Sequence, residues 1–181
     1  GRQLLCRAML AEFRALRDIK IGRMHARAVT AVAVSPEVSE AMRLRLEAAG
    51  VRTKALVVSH AFHSPLMRPM IAEYEKAVAG VCFSTPDIPF VSGVHGTLAT
   101  SEVTQPGYWV RQVLDPVRFA AGMDAMAAEG IDTYVEIGPH PVLLGLGRQS
   151  LADADGAAAW LPSMRREADV WQTLLGSVGQ L

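Results

Sequence analysis

The sequence has little cysteine, no surplus of either charge and no long apolar run, and each absence removes a class of function. Its two cysteines, Cys6 and Cys82, have no CxxC spacing and no third or fourth thiol. This argues against a thiolate zinc site and against a disulfide framework, and fits a reducing cytoplasm. Eighteen basic side chains are cancelled by 18 acidic ones, and no basic stripe is present to follow a phosphate backbone, so no nucleic acid partner is expected. No apolar stretch approaches the roughly 20 residues that span a bilayer, so no membrane partner is expected either. Residues 1–18, GRQLLCRAMLAEFRALRD, form a basic amphipathic pattern without a signal-peptide core. What is present is apolar bulk: half of the 181 residues, enough for one domain with a core or for two small subdomains. The chain opens on Gly1 rather than Met, and we expect a piece of something longer.

Periodicity lays out alternating elements. Leu4, Leu5, Met9, Phe13 and Leu16 recur at helical spacing. The valine-rich AVTAVAV at 28–34 reads as a buried strand. Ser35 and Pro36 then cap and start a helix that Gly50 closes. A strand, KALVVS, is predicted at 54–59. Ser64 and Pro65 repeat the cap-and-start pattern for a helix running to Gly80, and Pro69 inside it removes one backbone hydrogen bond, which predicts a bent or loose first turn. IPFVSGV at 88–94 reads as a strand, 106–114 as a helix opening at proline, 116–129 as a helix stopped by Gly130, and IDTYVEIG at 131–138 as a strand. A turn and helix follow in PHPVLLGLGRQSL, then a small-residue loop at 151–159, a further apolar stretch, AAAWLPSM, and a last amphipathic helix in RREADVWQTLLGSVGQL. Strands alternating with helices of this length indicate an α/β fold with a largely parallel sheet, whose sites sit at the carboxyl ends of strands. Both HAFHSPLM at 60–67 and GPHPV at 138–142 occupy that kind of position.

Five histidines are present. For His25, His95 and His140 a structural or exposed role is the default. His60 and His63 stand apart, because they follow a predicted strand and precede a capped helix. A metal site would need a third ligand, and none lies at a recognisable spacing, so no metal is expected. General acid–base chemistry would need a nucleophile for the histidine to serve. The sequence contains no GxSxG elbow, and Ser64 is better used as a helix cap. On the residues alone this is half of an active site.

The stretches VSHAFHSPLMRPM, PGYWVRQVLDPVRFAAGM, TYVEIGPHPVL and LPSMRREADVWQTLLGSVGQL resemble the C-terminal part of the malonyl-type acyltransferase domain of modular type I polyketide synthases, in that family's order. The resemblance implies an α/β-hydrolase-like parallel-sheet subdomain at 60–160, a partial ferredoxin-like small subdomain at 1–59, and a linker helix at 161–181. It implies transfer of a malonyl unit from malonyl-CoA, through an acyl-serine, to the phosphopantetheine thiol of an acyl carrier protein, with neighbouring ketosynthase and other synthase domains as further partners and no covalently bound cofactor. The match puts the general base on His63, with its ring held by a backbone carbonyl near Gln112. It makes His60, Ala61 and Phe62 the acyl-unit selector, since HAFH accompanies malonyl in the family and YASH methylmalonyl. Phe62 would crowd a methyl branch, a contribution of about 1–3 kcal/mol; the plainer reading of Phe62 is a core aromatic. The family's GHSxG serine, oxyanion glutamine and malonate-binding arginine match no residue here, and Gly93 stands where the family usually has asparagine. The resemblance therefore implies a chain that is inactive alone.

Other readings stay open at this stage. One is the stand-alone malonyl-CoA:acyl-carrier-protein transacylase of fatty-acid synthesis, against which the linker-like tail argues. Another is a non-catalytic docking or structural module of a megasynthase. Arg148, Arg165 and Arg166 are candidates for contact with an acidic carrier protein, or are solvated surface arginines.

Overall fold

The structure is a computed structural model that describes residues 22–26, 29–33, 36–50, 53, 55, 60–151 and 156–181. The chain divides into two compact units: Gly1–Met24, Ala31–Pro86 and Thr100–Val117 in one, and His25–Thr30, Asp87–Ala99 and Arg118–Leu181 in the other. Strands β1 (Gly22–Ala26) and β2 (Val29–Ala33) form a two-stranded sheet, and β2 is the strand expected from its valines. The expected helix at the amino end and the Ser35 cap lie outside the described residues, as does the strand at 54–59 except for Ala55.

In the first unit, helix α1 (Pro36–Ala48) ends just before Gly50, whose φ of 74° is the left-handed conformation that glycine adopts without strain. The segment after the paired histidines takes the predicted loose form. Residues Pro65–Met70 wind as a 3-10 helix before the chain settles into α2 (Ile71–Ala79). Pro65 at the first helical position and Pro69 within the segment leave this turn short of backbone donors, and the tighter winding is the result. Ser64 caps it, its Oγ accepting the Leu66 N–H at 3.2 Å. A further 3-10 turn (Ser101–Thr104) leads into α3 (Pro106–Leu114), which opens at its proline as expected and buries Tyr108 and Val113. Trp109 stacks on Phe83 with ring centroids 5.5 Å apart and donates its indole N–H to the Val103 carbonyl at 3.0 Å.

The second unit corrects one expectation. Residues 88–94 do not form a strand; a lone antiparallel bridge joins Val91 to Leu98, and the chain turns between them. Buried Ser92 accounts for the difference. Its Oγ accepts the N–H groups of Val94 and His95, each at 3.2 Å, which diverts the backbone from a ladder. Gly96 completes the turn at φ 72°, where a Cβ would lie 2.6 Å from that of Ala121.

Helix α4 (Phe119–Ala128) starts later than the predicted residue 116, because Arg118 is non-helical and gives its N–H to the Gly93 carbonyl at 2.8 Å. Strand β3 (Thr133–Glu136) is followed by α5 (Leu143–Leu151) and then by β4 (Ala159–Pro162). The apolar AAAWLPSM thus contains a strand that the sequence reading left unassigned. The β3–β4 pair is parallel, Tyr134 opposite Trp160 and Val135 opposite Leu161. Two strands joined by a helical crossover are the βαβ unit expected of an α/β fold. Its core is Met123, Tyr134 and Trp160, with Phe119, Met126, Leu144 and Leu151 against it. Helix α6 (Val170–Val178) is capped by Asp169 and fastened to β4 by a buried hydrogen bond from Ser177 Oγ to the Pro162 carbonyl, 2.7 Å long.

Candidate active site

The site is built around a histidine held by the end of a helix. Helix α3 stops at Leu114, and its last carbonyls have no intrahelical donors. His63 supplies donors to them. Its main-chain N–H bonds the Val113 carbonyl at 2.8 Å, and its ring Nδ1 lies 3.2 Å from the Asp115 carbonyl. A carbonyl oxygen only accepts, so Nδ1 carries the hydrogen and the neutral ring presents a lone pair at Nε2. That is the tautomer a general base needs.

The backbone around the ring is tightly specified. His63 sits at φ 61°, in the left-handed region that few non-glycine residues occupy and that surrounding contacts must hold. Ser64 beside it is fully buried, and its Oγ both caps the following 3-10 helix and donates to the Ala61 carbonyl at 2.7 Å. The loop from Ala61 to Ser64 is thereby closed on itself.

The residues expected to choose the acyl unit line this loop. Phe62 is 48% exposed. Its ring meets His60 edge-on with centroids 6.0 Å apart and lies 6.4 Å from the His63 ring. His60 is exposed, whereas Ala61 is partly covered and gives its carbonyl to Ser64. Phe62 therefore stands as an open apolar wall next to the candidate base.

Gln112 is a correction. The carbonyl facing the His63 ring belongs to Asp115, not to Gln112. Gln112 lies within α3, where carbonyls run along the helix axis, while Asp115 is the extended residue just past the helix end (φ −80°, ψ 151°) and can turn its carbonyl sideways. Asp115 and Val113 were missed because a main-chain carbonyl leaves no mark in residue type. One signal was available: in LDP, the residue before a proline is driven out of the helical region, so orphan carbonyls were to be expected there.

The remaining candidates are elsewhere. GPHPV is organised by Glu136, whose carboxylate accepts the N–H groups of Val142 at 3.1 Å and Leu144 at 2.9 Å, closing the start of α5. His140 there is exposed. Gly93, at the family's asparagine position, gives its carbonyl to Arg118 N–H. Arg148 lies over the Trp160 ring at 5.8 Å, and Arg165 and Arg166 are exposed. Among the described residues, no group of three or more His, Cys, Asp or Glu side chains is placed to hold a metal ion, and no helix is long and apolar enough to cross a membrane.

Comparison with known proteins gives the family. Residues 14–181 match the acyl transferase domain family. The chain belongs to that family. Its match begins upstream of VSHAFHSPLMRPM, the first of the motifs that carried the resemblance. The polyketide synthase GfsA of Streptomyces halstedii is 37% identical over 165 residues, covering 91% of this chain and 2% of GfsA. GfsB of the same organism is 45% identical over 123 residues, 65% of this chain and again 2% of the relative. The chain thus spans a small fraction of these synthases. Among solved structures, the acyltransferase domain from the second module of the salinomycin polyketide synthase superposes with a TM-score of 0.83 at 32% identity, covering 96% of this chain and 40% of that one. The acyl transferase domain of SpnD, in complex with 2-(pent-4-yn-1-yl)malonyl, gives 0.80 at 25% identity, with 90% and 45% covered. The acyl transferase fold is therefore α/β, and these 181 residues correspond to less than half of such a domain.

Proposed function

We propose that this chain is the base-bearing part of an acyltransferase domain that moves a malonyl unit from malonyl-CoA to an acyl carrier protein within a cytoplasmic polyketide synthase. The observation that carries the reading is the His63 ring, tied through Nδ1 to the Asp115 carbonyl with Nε2 left to accept a proton. In the first step, Nε2 takes the proton of a serine hydroxyl as the serine oxygen bonds the thioester carbon, and the C–S bond breaks with return of that proton to the CoA sulfur. In the second step, His63 takes the proton of the carrier protein's phosphopantetheine thiol, the thiol sulfur bonds the acyl carbon, and the serine oxygen leaves with the proton. No carboxylate is needed behind the histidine, because the carbonyl performs the orienting task.

The serine belongs to a GxSxG elbow, and none occurs in these 181 residues. The isolated chain is therefore expected to form no acyl adduct with malonyl-CoA. Intact mass spectrometry tests this directly, and a stable malonyl adduct would overturn it. In a complete domain carrying this segment, His63→Ala is expected to slow carrier-protein acylation by about 100-fold or more; an unchanged rate would remove His63 from the mechanism.

Selection for malonyl rests on Phe62, whose exposed ring adjoins His63. The SpnD domain, similar to this chain, holds a 2-substituted malonyl group, which supports the malonyl class of substrate and makes the substituent the point of discrimination. Phe62→Ser in the complete domain is expected to raise methylmalonyl transfer relative to malonyl by about 10- to 200-fold, the range that one methyl group commands. A synthase setting is preferred to a stand-alone transacylase because the relatives GfsA and GfsB are synthases of which this chain spans 2%.

A further inference from the structure

We infer that Pro116 and Arg111 are positioning residues for His63, fixing the direction of the Asp115 carbonyl that holds the ring. The inference rests on the reading of His63 as the proton acceptor. It begins with the way α3 ends. The Asp115 N–H makes the last helical bond, to the Arg111 carbonyl at 2.7 Å, and the next residue, Pro116, has no N–H to offer the Gln112 carbonyl. The helix cannot take another residue in regular form.

Pro116 acts on Asp115 as well. The ring of a proline excludes the helical region for the residue before it and confines that residue to extended values. Asp115 has φ −80° and ψ 151°. A helical Asp115 would have ψ near −42°, so its carbonyl would be turned by roughly half a rotation about the Cα–C bond. It would then point along the α3 axis, and Nδ1 of His63 would lose its acceptor.

Arg111 holds the same residue from the other side. Its Nε donates to Asp115 Oδ2 at 3.2 Å, so Asp115 is bound to Arg111 through both main chain and side chain. Both side chains are about half exposed, and such a pair adds little to folding stability. Its effect is directional: it limits rotation of Asp115 at the end of a helix. Pro116 sets the carbonyl's range, and Arg111 narrows it.

The consequence is read in the tautomer of His63, which a merely structural role would not move. The 181-residue chain, labelled with ¹⁵N in its histidines, is examined by NMR near pH 9, where imidazoles are neutral, with the His63 signals assigned by their loss in His63→Gln. Wild-type His63 is expected as the Nδ1–H form. Pro116→Ala and Arg111→Gln are each expected to shift it toward the Nε2–H form that an unrestrained imidazole prefers, while Arg111→Lys restores part of the Nδ1–H signal. A wild-type ring in the Nε2–H form, or unchanged Nδ1–H signals in both loss variants, overturns the inference. If circular dichroism shows that Pro116→Ala is unfolded, the exposed Arg111→Gln decides alone. Unmoved tautomers would leave the base role of His63 standing, whereas full activity of His63→Ala in a complete domain would remove that role whatever the tautomers did.

Discussion

Ser64 shows how much one small side chain can carry. It is fully buried, caps the 3-10 helix through Leu66 N–H, and donates to the Ala61 carbonyl, while its neighbour His63 occupies a left-handed conformation. Ser64→Ala removes the cap and leaves the Ala61 carbonyl without its donor. The expected cost is about 1–2 kcal/mol, measurable as a lower urea midpoint with an unchanged slope; a midpoint within error of wild type would show that the loop is held by other contacts. At this scale the sequence was legible where function lies in a side chain. The Ser64 cap could be named from HAFHSP alone, and the family resemblance added His63 as the candidate base. The partner of His63 could not, because any residue type has a carbonyl, and the family analogy placed it on Gln112 instead of Asp115.

Elements were legible where punctuation was clear. Proline opened α3 and glycine closed α1, and Pro69 loosened the turn before α2. Residues 88–94 misled because valine and phenylalanine favour strands while Ser92 and Gly96 act locally to turn the chain, and local hydrogen bonding won. Strand β4 was obscured because it is only four residues long and follows Ala157 and Ala158, so there was no alternation to read. Its stability depends on a feature invisible in periodicity: α5 lies so close that a Cβ on Gly147 would sit 2.6 Å from Trp160 Cζ3. Gly147→Ala is expected to gain helix propensity but to lose more by displacing the Trp160 ring from Tyr134, a net cost of about 1–3 kcal/mol. Thermal unfolding followed by near-ultraviolet circular dichroism tests this; a more stable variant would show that the ring can yield. On α1 a different term is open to test. The hydrogen bond and charge of Arg43 hold the Glu40 carboxyl below its usual range, and Thr53, then Arg43, do so for Glu47. A lowered carboxylate pKa contributes stability above the unfolded value and loses it as pH falls through the folded one. The contribution of this exposed group is therefore expected to fade on acidification below the ordinary glutamate range and to shrink in high salt. Arg43→Ala should flatten that part of the pH profile, and an identical profile in the variant would discount the network.

For the molecule as a whole, the notable quantity is the apolar surface left open on the β3–β4 unit. Tyr134 faces the α4 and α5 side, stacked on Trp160 with centroids 4.4 Å apart, so Val135 and Ile137 project to the opposite face. There α6 packs on β4, and Leu161 is only 2% exposed, yet Val135 is 49% and Ile137 87% exposed. Asp132 and Glu136 spend their carbonyls on β4, through Ala159 and Ser163, which turns the backbone groups of Thr133 and Val135 the other way. Among the described residues β3 pairs only with β4, and it carries no proline or lysine to protect the free side. Parallel sheets ordinarily cover both faces, and the solved acyltransferase domain of the salinomycin synthase is more than twice as long as this chain's match to it. In isolation the exposed strand should therefore promote self-association. The expected result is concentration-dependent sedimentation and dye binding to the apolar face. Val135→Lys with Ile137→Lys should reduce both while leaving the unfolding free energy within about 1 kcal/mol of wild type, since Ile137 is almost fully exposed and Val135 about half exposed in the monomer. A wild-type chain that sediments as a monomer at every concentration would show that this face is not adhesive, and a large stability loss in the double variant would show that it is already covered.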